Sequence, residues 1–163
     1  LDGAWNYWSA HKLETSTEAP EIVATSYAFN AAPNTSIIAN WEEVLTSVDD
    51  PSKIVCDARS PEEFSGKDVR AAAGGHIPDA SNVNWNRAVN AEGEFLPVAE
   101  LREIYEGEGI QGDKVVFTLC QTAVRATHSW FVLQELLGYP TVKVYDGSWT
   151  EWGNRTDLPI TTR

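Results

Sequence analysis

The residue best placed to react is Cys120, which directly follows a strand-like run and directly precedes a helix-like one. The run KVVFTL at 114–119 is continuous and β-branched, as a central parallel strand reads. Beyond it, 126–137 carries Ala126, Trp130, Leu133 and Leu137 along one helical stripe, with Gly138 placed to close the helix. The stretch Cys120-Gln121-Thr122-Ala123-Val124-Arg125 therefore joins a strand end to a helix start. At such a junction several backbone N–H groups lack intrahelical partners and sit at the positive end of the helix dipole. They stabilise thiolate over thiol, and the same groups can seat an anion. Cys120 is the candidate nucleophile, Gln121, Thr122, Ala123 and Val124 form the candidate anion cradle, and Arg125 closes it with a guanidinium fork. Cys56 is the contrast, since it lies inside the apolar run KIVCD and reads as a buried core thiol.

Other chemistries find less support. The three histidines, His11, His76 and His128, have no metal-ligand spacing, and the chemistry expected at Cys120 needs no metal or organic cofactor. Two cysteines in 163 residues suit free thiols in a reducing, cytoplasmic compartment better than a disulfide scaffold. Twelve Lys and Arg against 24 Asp and Glu leave a net charge of −12, which repels phosphate backbones, so nucleic acid is not an expected partner. No apolar run approaches the roughly 18 residues of a membrane span, so no membrane partner is expected either.

The elements that must position Cys120 alternate along the chain. Residues 37–39 read as a short strand, Asn40 as an N-cap, and 41–48 as a helix with Trp41, Val44, Leu45 and Val48 on one face. The run 53–57 reads as a buried strand, and Val83 marks another short one. After Pro97, 98–105 reads as a helix, and 142–145 is the last strand. Strands separated by helices predict an α/β fold with a parallel sheet and helices on both faces. In such sheets ligands bind at the carboxyl ends of the strands, where Cys120 stands. An internal repeat adds to this: LDGAWNYW at 1–8 recurs in outline as YDGSWTEW at 145–152. The repeat predicts that 1–20 is the tail of a preceding domain plus a linker, TSTEAP at 15–20, and that 21–163 is the catalytic domain. On that reading Trp5 and Trp8 repeat the packing of Trp149 and Trp152 against a sheet of the preceding domain. The chain starts at Leu and has no Met, as expected for a piece of a longer protein.

Several motifs occur in family order over about 27–160: Asp57-Ala-Arg59 with Pro61-Glu-Glu-Phe64 and Gly66, Gly75-His76-Ile77-Pro78, the loop opened by Cys120, Leu136-Leu137-Gly138-Tyr139, and Tyr145-Asp146-Gly147-Ser148-Trp149 with Glu151-Trp152. Together they resemble the rhodanese (sulfurtransferase) family, specifically the second, catalytic half of a tandem member. The resemblance implies a five-stranded parallel sheet flanked by helices and a persulfide carried on Cys120. It implies thiosulfate as sulfur donor, with 3-mercaptopyruvate as the alternative, and cyanide or a thiol as acceptor. The missing first rhodanese-like domain becomes an expected partner. Within the family Asp57 and Arg59 tie the loop to the core; by their positions, His76 at the start of a loop is expected to be structural, and His128, on the helix face opposite Trp130 and Leu133, is expected at the surface or as a cap. Ala123 stands where the family most often has Gly, and Asp79 replaces Gly in the GHIPGA segment. Gln121 and Thr122 match neither the basic residues of thiosulfate enzymes nor the small ones of mercaptopyruvate enzymes. A Cys-loop phosphatase needs five residues between Cys and Arg, whereas four separate Cys120 from Arg125. A non-catalytic docking module usually lacks the loop cysteine.

Overall fold

A computed structural model describes residues 2–162; Leu1 and Arg163, the outer ends of the two expected segments, lie outside the described residues. Five strands form one parallel sheet: β1 (Ile38–Ala39), β2 (Lys53–Asp57), β3 (Ser81–Asn82), β4 (Val115–Leu119) and β5 (Val142–Tyr145). Their order is β1-β5-β4-β2-β3, so β4 lies at the centre with its carboxyl end running into Cys120. The described residues also form six α-helices, α1 (Ala4–Ala10), α2 (Trp41–Leu45), α3 (Pro61–Phe64), α4 (Val98–Gly107), α5 (Val124–Phe131) and α6 (Ser148–Trp152), of which α1 buries none of its residues.

The two-residue period of a strand splits the core into two layers. Ile54 and Cys56 of β2 and Val116 of β4 face Leu101, Tyr105, Val132 and Leu133 on one side. Val55, Phe117 and Leu119 face Tyr145, Trp149, Trp152 and Val44 on the other. Both layers are needed to hold the central strands flat on each side, which is why those strands read as unbroken apolar runs.

The first strand starts at Ile38 rather than Ile37, the central one at Val115 rather than Lys114, and the helix after Pro97 runs on to Gly107; three further shifts have a local reason. The helix expected to reach Val48 stops at Leu45. There the Thr46 and Ser47 N–H groups tighten to three-residue bonds on the Glu43 and Val44 carbonyls (3.2 and 2.9 Å), the hydroxyls of the same residues donate to those carbonyls too (2.6 and 2.7 Å), and Asp49 turns left-handed at φ +61°. Asn40 caps the start as expected, its side chain accepting the Glu43 N–H at 2.9 Å. The strand marked by Val83 ends one residue earlier, though Val83 remains buried and its N–H donates to the Asp57 carbonyl at 3.0 Å. The helix expected from Ala126 begins at Val124, because Ala123 already makes the turn at φ +65°. It widens after Phe131 into a π turn over Val132–Leu136, with the Leu137 N–H on the Val132 carbonyl, and Gly138 ends it at φ +72°.

The repeat has a structural counterpart. Helices α1 and α6 start at matching positions, Ala4 and Ser148, both left-handed (φ +45° and +49°). In each, the second tryptophan donates its indole N–H to a later carbonyl, Trp8 to Glu14 at 3.0 Å and Trp152 to Pro159 at 2.9 Å. Burial separates the copies: Trp149 is 1% exposed and Trp5 66%.

Candidate active site

The end of β4 is fixed first. The Ala58 N–H donates to the Leu119 carbonyl at 2.8 Å, pinning the strand end to the residue after β2. Cys120 follows, with its side chain in the interior at 1% exposure. The Ser148 hydroxyl at the start of α6 gathers the loop: it accepts the N–H groups of Cys120 (3.3 Å) and Ala123 (3.1 Å) and donates to the Tyr145 carbonyl (2.9 Å). From the same helix the Trp149 N–H holds the Cys120 carbonyl at 2.9 Å, and the Thr150 N–H and hydroxyl hold the Gln121 carbonyl at 3.0 and 2.6 Å. Loop carbonyls are thus engaged by α6, while the N–H groups of Gln121, Thr122, Val124 and Arg125 have no partner among the described residues. These four donors, at the start of α5, make a cradle for negative charge next to a thiol. Ala123 belongs to its frame, because its own N–H is taken by Ser148.

Arg125 lies in the first turn of α5 and does not reach into empty space. Its two terminal nitrogens fork onto Glu63, Nη1 to Oε2 at 2.7 Å and Nη2 to Oε1 at 2.8 Å. Glu63 is presented by α3, whose start is a reciprocal capping box: Ser60 Oγ accepts the Glu63 N–H at 3.2 Å and Glu63 Oε2 accepts the Ser60 N–H at 3.0 Å. Arg70 stands 3.6 Å from the same carboxylate and is half-exposed. Burial pushes the Glu63 carboxyl up, but the Arg125 hydrogen bonds, the Ser60 N–H and the charges of Arg125 and Arg70 outweigh it and hold the carboxyl at about 2. The Glu63 hydrogen bonds in turn raise Arg125 above the usual guanidinium value, against the opposing effect of burial. The cation beside the loop is therefore permanent.

The other predicted residues hold the frame. Asp57 and Arg59 are both buried and joined side by side, with Arg59 Nε 2.9 Å from Asp57 Oδ1. Arg59 also donates to the Gly75 carbonyl at 2.8 Å and lies 4.1 Å under the Trp149 ring, so it ties the end of β2 to α6. His76 stacks on Phe64 at 3.6 Å, and its Nδ1 is 2.8 Å from the Phe64 carbonyl, which seats the helix that carries Glu63. Gln121 directs its amide away from the loop, donating to the Arg70 carbonyl at 3.1 Å. His128 is neither a cap nor free at the surface: its ring is half-buried against Trp85 (5.3 Å) and Phe95 (4.9 Å), and burial pushes it down. Cys56 sits in the core, where burial and the neighbouring Asp57 carboxylate push its thiol far up. Sequence reasoning gave no role to Ser148, Glu63, Thr150 or Arg70. Signals existed for two of them, the Ser60-to-Glu63 capping spacing and the serine that stands in DGSW where the first copy of the repeat has Ala4. Among the described residues no group of three His, Cys, Asp or Glu side chains could hold a metal ion. Among the described residues no helix is long and apolar enough to cross a membrane.

A parallel five-stranded sheet with a cysteine loop at its central carboxyl edge defines a class, and comparison with known proteins gives the same one. The model of the rhodanese-like domain matches residues 40–155, and the chain belongs to the rhodanese family. A Haloferax volcanii protein provisionally named as a thiosulfate sulfurtransferase is 40% identical over 167 residues, covering 98% of this chain and 58% of its own. A Thermus thermophilus protein named sulfur carrier protein TtuD is 40% identical over 171 residues, covering 98% of this chain and 60% of its own. The chain thus spans under two thirds of the length of these curated relatives. Among solved structures, the anaerobic ergothioneine biosynthesis enzyme of Chlorobium limicola, in complex with trimethyl histidine, superposes with TM-score 0.87 at 24% identity, over 99% of this chain and 40% of its own. At that identity the likeness concerns the fold.

Proposed function

We propose that this chain is the catalytic module of a thiosulfate sulfurtransferase that works through a persulfide on Cys120. The observation that carries the reading is the thiol at the end of β4 beside four N–H groups that have no partner among the described residues. Relatives at 40% identity, one provisionally named as a thiosulfate sulfurtransferase and one named a sulfur carrier, support the same reaction class. The Cys120 thiolate attacks the outer sulfur of thiosulfate. The sulfur–sulfur bond of the donor breaks, and its electron pair leaves with sulfite. Cys120 then carries a persulfide whose terminal negative charge is met by the loop N–H groups. Cyanide attacks that terminal sulfur, thiocyanate departs, and the Cys120 thiolate is restored. A thiol acceptor takes the sulfur in the same way and becomes a persulfide. Arg125, held in place by Glu63, supplies fixed positive charge for the incoming and leaving anions.

The reading extends to the setting of the module. Two free, buried cysteines suit a reducing, cytoplasmic compartment. The correspondence of α1 with α6 supports the division into 1–20, the end and linker of a preceding rhodanese-like domain, and 21–163, the catalytic one. One preparation tests the reaction: mass spectrometry after thiosulfate treatment should find one added sulfur on the peptide containing Cys120, and cyanide should remove it as thiocyanate. A higher kcat/KM for thiosulfate than for 3-mercaptopyruvate is expected, and the reverse order would reassign the donor. Sulfur found on Cys56 would overturn the mechanism.

A further inference from the structure

Beside the loop, on the far side of α5, lies a second cavity that the sulfur chemistry does not use. Its volume is about 500 Å³, and its walls include Asp2, Trp5, Trp85, Asn90, Phe95 and His128. It is not a generic apolar dent. Trp85, His128, Phe95 and Phe131 form a continuous aromatic surface with neighbouring ring centroids 4.9–5.6 Å apart. No Lys or Arg lines the cavity, and Asp2 is the charged side chain that does. Asp2 is held there by its Oδ1, which accepts the N–H groups of Gly3 and Phe95 at 3.0 Å each, leaving Oδ2 for another partner. Glu94 adds acidity close by, bonded to Asn90 at 3.0 Å. His128 brings no opposing charge. Its ring is half-buried, its Nδ1 is buried without a hydrogen-bond partner among the described residues, and burial favours the neutral imidazole.

Aromatic faces carry negative quadrupole potential, and tryptophan is the strongest of them toward a cation. A carboxylate at the mouth and a net charge of −12 reinforce that preference. The same features repel thiosulfate, so the cavity is no extension of the donor site. We propose that this cavity binds an organic cation with a methylated ammonium head, seated on the ring of Trp85 between Phe95 and the Asp2 carboxylate. The site stands one helical turn along α5 from Val124, so its ligand lies beside the catalytic loop. The proposal does not depend on sulfur transfer.

Titration of the isotope-labelled chain with choline, followed by two-dimensional NMR, tests it. Saturable shifts of the Trp85 indole N–H and the Phe95 backbone N–H are expected. The neutral isostere 3,3-dimethylbutan-1-ol should bind about tenfold more weakly. Asp2→Asn keeps the oxygen that accepts the Phe95 N–H and removes the charge, so it should weaken choline several-fold and leave the isostere unchanged. Trp85→Phe retains a ring and should bind more weakly than the parent, with the rest of the spectrum in place to show the fold is intact. Equal affinity for choline and its isostere would overturn the proposal, as would shifts that fall outside the cavity.

Discussion

At the scale of single residues, the fold gives two cysteines opposite characters. Cys56 is enclosed by core side chains, and burial keeps its thiol protonated. Cys120 is buried too, but it borders donors that have no other partner. Replacement of Cys120 by Ser should abolish sulfur loading by thiosulfate, while Cys56→Ala should load normally and cost about 1 kcal/mol of stability in thermal unfolding. Glu63 offers a pH test. Its folded-state carboxyl titrates at about 2 against an ordinary value of 4.5, so its contribution is complete above about 4.5 and is lost as pH falls toward 2. The shift corresponds to about 3 kcal/mol. Thermal unfolding midpoints should therefore drop more steeply between about pH 5 and pH 2 in the parent than in Glu63→Gln, whose side chain has no proton to gain there.

At the scale of elements, the loop is built by a turn within it, at Ala123, and a helix across from it. Ala123 adopts φ +65°, a region where a β-carbon is strained and Gly is not. Ala123→Gly is expected to stabilise the chain by about 0.5–1 kcal/mol, read in denaturant unfolding, and to leave sulfur loading intact. Ser148 acts in the opposite sense. Its hydroxyl satisfies two loop N–H groups in the interior, and Ser148→Ala leaves both without that partner. A loss of about 1–3 kcal/mol is expected, with slower sulfur loading because the loop ends are no longer gathered. Should Ser148→Ala load as fast as the parent, the hydroxyl has no positioning role. His76, Phe64 and the Ser60 cap form a further support, since together they seat the short helix that presents Glu63 to Arg125.

At the scale of the whole molecule, 24 acidic side chains against 12 basic ones crowd negative charge onto one small surface. Compaction brings like charges closer, so self-repulsion destabilises the folded state. Raising salt from about 0.01 M to about 1 M shortens the screening length from about 30 Å to about 3 Å. The unfolding midpoint should rise over that range, and the buried pair Arg59–Asp57 and the half-buried pair Arg125–Glu63 should be little affected. A midpoint that falls with salt would show that surface pairs such as Arg102–Glu106 outweigh the net repulsion.

Much of this was legible in the residues themselves. The five strands, the central place of 114–119 and the position of Cys120 follow from local hydrophobic period and from motif order, which a chain carries without being folded. The caps at Asn40 and Gly138 were legible for the same reason, being short-range. What the folded molecule alone decided was pairing across distance. Arg125 meets Glu63 across 62 positions, Ser148 reaches Cys120 across 28, and Asp2 meets Phe95 across 93. The sequence offered Arg125 as a free fork for anions, and the fold placed a buried carboxylate in that fork. It also placed His128 among aromatic rings rather than at the surface. Period and spacing determine which face a side chain presents on its own element. Which partner waits on that face depends on how the elements pack, and that is set by the burial of the whole core at once.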